Sequence, residues 1–143
     1  LLENPEFTEP GGERREMTTR QAPEGALTVV ASRDHAGPEI AEAIARIEAS
    51  GRTVDATSMG SSLKFCLVAE GAADLYPRTG PTMEWDTAAA HAVLYAAGGK
   101  LVALTGEHAG QPLPYNRANL RNPPVIAWGD PSLDWAPWLD GLV

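Results

Sequence analysis

Leu27-Thr28-Val29-Val30-Ala31 and Thr53-Val54-Asp55-Ala56-Thr57 are two short β-branched runs, and the residues between them decide the fold. Ser32-Arg33-Asp34-His35 reads as a turn. Pro38 suits the first turn of a helix, where its missing N–H costs little. Ile40, Ile44 and Ile47 then recur at helical spacing, and Gly51 supplies a stop. Strand, helix and strand with short connections form the unit that builds a parallel sheet.

The same alternation continues downstream. Gly60-Ser61-Ser62 opens a second helix with Leu63, Leu67 and Val68 on one side, stopped by Gly71. Ala73 to Tyr76 reads as a third strand, closed by Pro77. Met83 to Ala97 is an alanine-rich helix ending at Gly98-Gly99. Leu101 to Leu104 is a fourth strand, residues 106–122 a loop, Val125 to Trp128 a fifth strand, and Pro131 to Leu139 a short helix. The expected fold is α/β, a mainly parallel five-stranded sheet with helices on both faces. Upstream, Leu1 to Gly25 holds Pro5, Pro10, Gly11, Gly12 and Pro23 and reads as a loop or linker with at most one edge strand. The expected division is therefore 1–25 as linker and 26–143 as one α/β domain.

Bulk properties narrow the function. The 143 residues carry 11 basic and 19 acidic side chains, a formal net charge of −8. That opposes non-specific binding to nucleic acid or an anionic membrane. A small anionic ligand remains compatible, because a few local cations act within a Debye length of ~8–10 Å. Cys66 is the single cysteine, so no intrachain disulfide forms and no cysteine-built zinc site exists. A lone thiol fits a reducing cytoplasm, the expected location. No apolar run approaches the ~20 residues of a membrane helix, and no signal-peptide order opens the chain. A start at Leu1 is what a fragment, a processed chain or a trimmed chain would show.

Three turns carry polar residues beside helix starts: Ser32 to His35, Ser58 to Ser62, and Glu84 to Thr87. In open α/β sheets, ligands bind outside the carboxyl ends of the strands. Gly60-Ser61-Ser62 can aim backbone N–H groups and two hydroxyls at an anion, and Lys64 adds a point charge. The plainer alternative is an ordinary serine N-cap. Asp86 in the first turn of a helix contributes about 0.3–1 kcal/mol through the helix dipole alone. Its sharper reading is a ligand for a hard cation such as Mg²⁺, which prefers oxygen donors. One carboxylate does not make a two-metal site, and Glu70 and Glu84 are the only other local acids. His35 beside Arg33 could contact a phosphate. His91 reads as a surface or satisfied core histidine, and His108 gives no signal. No Ser-His-Asp order and no Gly-x-Ser-x-Gly elbow supports an activated serine. The four tryptophans and Tyr76 read as core or edge residues rather than a base-stacking platform.

Trp85-Asp86-Thr87-Ala88-Ala89-Ala90 followed by Ala97-Gly98-Gly99 resembles the C-terminal signature of the inositol monophosphatase superfamily. Gly60-Ser61-Ser62-Leu63-Lys64-Phe65-Cys66-Leu67-Val68-Ala69-Glu70-Gly71, with Asp74-Leu75-Tyr76-Pro77-Arg78, resembles its bacterial 3′(2′),5′-bisphosphate nucleotidase branch. Val30 to His35 resembles the start of that branch's C-terminal half, and the likeness runs from Leu27 to Leu104. The resemblance implies that Asp86 is a catalytic metal ligand lying against the substrate. It implies that Gly60, Ser61, Ser62 and Lys64 line the nucleotide site, with Arg33, His35 and Arg78 as further phosphate contacts. The implied cofactor is Mg²⁺. The implied reaction is hydrolysis of a phosphate monoester in a small anionic substrate, adenosine 3′,5′-bisphosphate or its sulfated form.

The family's other metal ligands, a glutamate and an Asp-Pro-x-Asp-Gly-Thr loop, belong to an N-terminal half. Neither is in these residues, and Asp130-Pro131-Ser132-Leu133 lacks the second aspartate and the Gly-Thr. The implied partner is that missing half of the same protein, with residues 1–25 as its end, and the chain alone is expected to be inactive. A homo-oligomer stays open. The alternatives are an inositol monophosphatase, a fructose bisphosphatase-like sugar phosphatase, or a non-catalytic nucleotide-binding domain.

Overall fold

The computed structural model describes residues 15–31 and 37–142. Seven strands and four helices follow in the order β1 (Ala26–Val30), α1 (Pro38–Ala49), β2 (Thr53–Thr57), α2 (Leu63–Ala69), β3 (Leu75–Arg78), β4 (Thr82–Met83), α3 (Glu84–Ala96), β5 (Lys100–Ala103), β6 (Arg121–Asn122), β7 (Val125–Trp128) and α4 (Ala136–Leu139). Five strands form one sheet in the order β2-β1-β3-β7-β5. The α/β class and the helices on both faces are as expected.

The sheet is mixed rather than mainly parallel. β1 pairs parallel with β2 and β3, whereas β7 runs antiparallel to both β3 and β5. The reason lies in the connections. Parallel neighbours need a crossover, usually helical, and residues 104–124 between β5 and β7 contain no helix, so the chain reverses there. That segment supplies instead a small second sheet, β6 against β4, where the sequence suggested only loop.

Period-two alternation divides the side chains of the main sheet between two cores. Val30, Tyr76, Leu101, Ala103, Val125 and Ala127 meet α2 and α3 through Phe65, Val68, Ala90 and Leu94. Leu27, Val29, Leu75, Val102, Ile126 and Trp128 meet α1 and α4 through Ala43, Ile47, Trp138 and Leu139. α1 keeps the anticipated design, with Pro38 at its start, Ile40 and Ile47 buried, and Gly51 at φ +90° just past its end.

Two local expectations shift. β3 does not stop at Pro77 but runs through it to Arg78, paired with β7. Pro77 lies beyond the last pair with β1, Val29 with Leu75, where β3 is an edge on that side and tolerates proline. α2 buries Lys64, Phe65, Val68 and Ala69, while Leu63 is 56% exposed. Two helical turns of sequence do not fix the phase of a stripe. A helix this short is not stable alone, so packing of Phe65 and Val68 holds it.

The segment before β1 is tied down, although residues 15–25 form no strand or helix. Thr19 N–H donates to the Ala97 carbonyl at 2.9 Å. Ala22 N–H donates to Asp130 Oδ2 at 2.9 Å. Arg20 makes a two-pronged bond to Asp74, Nε to Oδ1 at 2.8 Å and Nη2 to Oδ2 at 2.7 Å. Asp130 also accepts from the Ser132 hydroxyl and backbone, and these bonds hold its carboxyl below the usual range. The Asp130-Pro131 pair is thus a turn that also anchors the entering chain.

Candidate functional site

β2 ends at Thr57 and β3 at Arg78, so the residues after them gather at the carboxyl ends of the strands. With the first turn of α3 they enclose an open cleft of about 790 Å³. Gly60, Ser61, Ser62, Lys64, Arg78 and Asp86 all line it, although they come from three separate stretches of sequence. Arg33 and His35 lie outside the described residues.

Lys64 is 7% exposed, with its Nζ 5.6 Å from the centre of the Tyr76 ring. Burial lowers its pKa, and the positive charge of Arg78 lowers it further. Neither Lys64 nor Arg78 has a carboxylate partner among the described residues. Tyr76 is the floor under Lys64 and packs edge-on against Phe65, ring centres 4.9 Å apart. It is therefore both core and cleft lining, the second role having no signal in the sequence.

Ser62 precedes α2 but makes no capping hydrogen bond, so the plain N-cap reading does not describe it. Ser61 sits at φ +65°, which turns the chain sharply into the helix. Both serines are exposed at the cleft, and their hydroxyls are unengaged among the described residues.

Asp86 gives one oxygen to its helix and turns the other to the cleft. Its Oδ2 accepts the Met83 N–H at 2.8 Å, closing the first turn of α3. Its Oδ1 takes no hydrogen bond among the described residues, and the side chain is exposed on the cleft. A carboxylate oxygen free of protein donors is the donor type a hard cation wants. No group of three or more His, Cys, Asp or Glu side chains gathers among the described residues. Asp86 is the one carboxylate among the described residues lining the cleft, so a metal held there would need further ligands.

The neighbouring acid, Glu84, does different work. Its oxygens accept the backbone N–H groups of Asn116 at 2.8 Å and Arg117 at 2.9 Å, and the Arg117 Nε lies 3.5 Å away. The Arg117 backbone bond, above all, holds the carboxyl below its usual range. Thr87 and Asn122, both buried, continue this polar cluster to Tyr115 and His91. Burial lowers the His91 pKa, so the satisfied-histidine reading fits it. Reading residues 106–122 as loop hid this cluster, because its partners converge only through tertiary structure.

The fold and this site define the class: the chain belongs to the inositol monophosphatase family, whose model matches residues 11–130. Among its relatives, the 3′(2′),5′-bisphosphate nucleotidase CysQ of Escherichia coli (strain K12) is 47% identical over 113 residues, 78% of this chain and 42% of that protein. The crystal structure of CysQ from Bacteroides thetaiotaomicron superimposes with a TM-score of 0.64 at 42% identity, covering 85% of this chain and 40% of that one. The inositol monophosphate-bound staphylococcal SaIMPase-II shares the fold at 19% identity, with a TM-score of 0.63 and coverage of 92% and 48%. The chain thus spans about 42% of the length of the CysQ relative it matches. No helix among the described residues is long and apolar enough to cross a membrane.

Proposed function

We propose that this chain carries the substrate side of a Mg²⁺-dependent phosphomonoesterase. The reaction is hydrolysis of adenosine 3′,5′-bisphosphate to AMP and phosphate. The supporting observation is the pair of cations, Lys64 and Arg78, in one cleft with no carboxylate partner among the described residues of a chain whose net charge is −8. Cations left together in an acidic protein repel each other and favour an anion between them. The likeness to CysQ, 47% identical, supports choosing a nucleotide that carries two phosphates.

In this reading Lys64 and Arg78 hold phosphate oxygens and orient the ester. Arg78 offers a planar fork of donors, Lys64 a compact charge. Ser61 and Ser62 supply neutral donors at the cleft rim. Asp86 offers one carboxylate oxygen to Mg²⁺. Bound Mg²⁺ supplies an activated water and charge stabilisation on the leaving oxygen. The remaining ligands come from an N-terminal half outside these 143 residues, so the chain by itself is inactive. The single thiol of Cys66 fits a reducing compartment such as the cytoplasm.

Asp86→Asn in the complete protein tests this. An amide is nearly isosteric and still accepts the Met83 N–H, so the metal-free melting temperature stays close to that of the parent. Turnover falls by more than the roughly 10–100-fold that follows loss of an outer-shell partner. Near-normal turnover at ordinary Mg²⁺ would remove Asp86 from the metal site.

A further inference from the structure

Glu84, Arg117 and Asn122 are joined end to end and reach Met83, the residue before α3. Glu84 accepts two backbone N–H groups, from Asn116 and Arg117, and faces the Arg117 side chain. Arg117 Nη2 donates to Asn122 Oδ1. The other end of Asn122, 5% exposed, donates through Nδ2 to the Met83 carbonyl at 2.9 Å, Thr87 Oγ1 at 3.1 Å and Thr82 Oγ1 at 3.2 Å. Met83 then donates its N–H to Asp86 Oδ2. Met83 is thus held on both sides, by Asn122 at its carbonyl and by Asp86 at its amide.

The loop that supplies these partners is itself bent at two non-glycine residues, Asn116 at φ +67° and Leu120 at φ +54°. Such conformations persist only where surrounding bonds over-determine them. The Leu120 carbonyl accepts the Glu84 N–H at 2.9 Å, and β4–β6 pairing closes the ring. Arg117 and Glu84 are part-buried, their side chains 23% and 12% exposed, and such an ion pair is weak evidence for stability. What a connected cluster gives is a single orientation.

We infer that Glu84, Arg117 and Asn122 are positioning residues that hold the Asp86 carboxylate in the direction needed for its metal. This rests on the reading of Asp86 as a metal ligand. The relay acts through Met83, and none of its three members lines the cleft.

Two variants of the complete protein test the relay, each with two readouts. Asn122→Leu removes the contacts at both ends of the amide at similar volume. Glu84→Gln is the milder change and guards against a variant that fails to fold. The first readout is hydrogen exchange of the Met83 amide by NMR, with Leu101 in β5 as the internal standard. The second is the Mg²⁺ concentration for half-maximal turnover. In Asn122→Leu the Met83 amide exchanges at least about tenfold faster while Leu101 changes by less than about twofold. The Mg²⁺ requirement rises by about tenfold, within the range for outer-shell partners, with the substrate KM at saturating Mg²⁺ little changed. Glu84→Gln moves both readouts in the same direction by less. Unchanged Met83 exchange overturns the relay. Faster exchange with an unchanged Mg²⁺ requirement overturns the positioning role while leaving Asp86 as ligand, provided Asp86→Asn does raise that requirement. If Asp86→Asn leaves the requirement unchanged, the metal reading of Asp86 fails and this inference fails with it.

Discussion

Asp74 and Asp86 are both aspartates close to the ends of sheet strands, and they have opposite fates. Asp74 is 2% exposed, and both of its oxygens are taken, one by Arg20 Nε, the other by Arg20 Nη2 and the Thr28 N–H at 2.7 Å. Asp86 is exposed, with one oxygen on Met83 and the other open to the cleft. The cations divide the same way: Arg20 is matched to a carboxylate, while Lys64 and Arg78 have none among the described residues. Charge satisfied within the fold belongs to its architecture. Charge gathered in a cleft without a partner marks where a ligand is wanted.

The contrast can be broken most severely at the satisfied end. Asp74→Ala strips Arg20 and Thr28 of their acceptor. Loss of one partner costs about 3–5 kcal/mol when the other charge is left buried; here the Arg20 side chain is 38% exposed and can be rehydrated, so about 2 kcal/mol is expected. Chemical denaturation should show this, together with release of residues 18–22 to limited proteolysis. A loss below about 1 kcal/mol would put Asp74 in the same category as Asp86.

The next effect falls on the unsatisfied end. Arg78→Ala should weaken adenosine 3′,5′-bisphosphate binding by roughly ten- to a hundred-fold, the scale of a lost charged hydrogen bond. Its unfolding free energy should stay within about 0.5 kcal/mol of the parent. Calorimetric titration and denaturant unfolding on one preparation separate the two. A large stability loss with unchanged affinity would reverse the assignment of this cation.

The smallest effect concerns His91, which belongs to the satisfied category although it can titrate. Its folded pKa lies below the ordinary 6.5, because burial disfavours the charged ring. Below that ordinary value the unfolded chain takes up a proton that the folded protein does not. Stability is therefore highest above pH 6.5 and declines as pH falls through the range between the two values. Denaturation of the parent and of His91→Gln across that range should show the decline flattened in the variant. An identical slope in both would assign the decline to other groups.

How legible these features were depends on how local their causes are. The strand runs 53–57 and 125–128 match β2 and β7, and the stripe and stop of α1 stand where periodicity put them. Each depends on neighbours within one element. The direction of β7 and the existence of β6 depend on how a helix-free connection folds back, which no period records. Gly60, Ser61, Ser62, Lys64, Arg78 and Asp86 could be named from motif spelling, and they do share one cleft. Tyr76 beneath Lys64, and Asn122 beneath Met83, could not. Their roles exist only once distant segments touch.

The assignment of the cleft turns on whether the complete protein hydrolyses a bisphosphate ester, and on whether Lys64 reads a second phosphate. Phosphate release with Mg²⁺ should be compared for adenosine 3′,5′-bisphosphate, a nucleoside monophosphate and inositol 1-phosphate, in the parent and in Lys64→Ala. The bisphosphate should be the preferred substrate. Lys64→Ala should lower its kcat/KM by roughly ten- to a hundred-fold more than that of the monophosphate, because a charged contact is lost from only one of them. Faster release from inositol 1-phosphate, or equal losses on both nucleotides, would contradict the assignment of this cleft to a nucleotide with two phosphates.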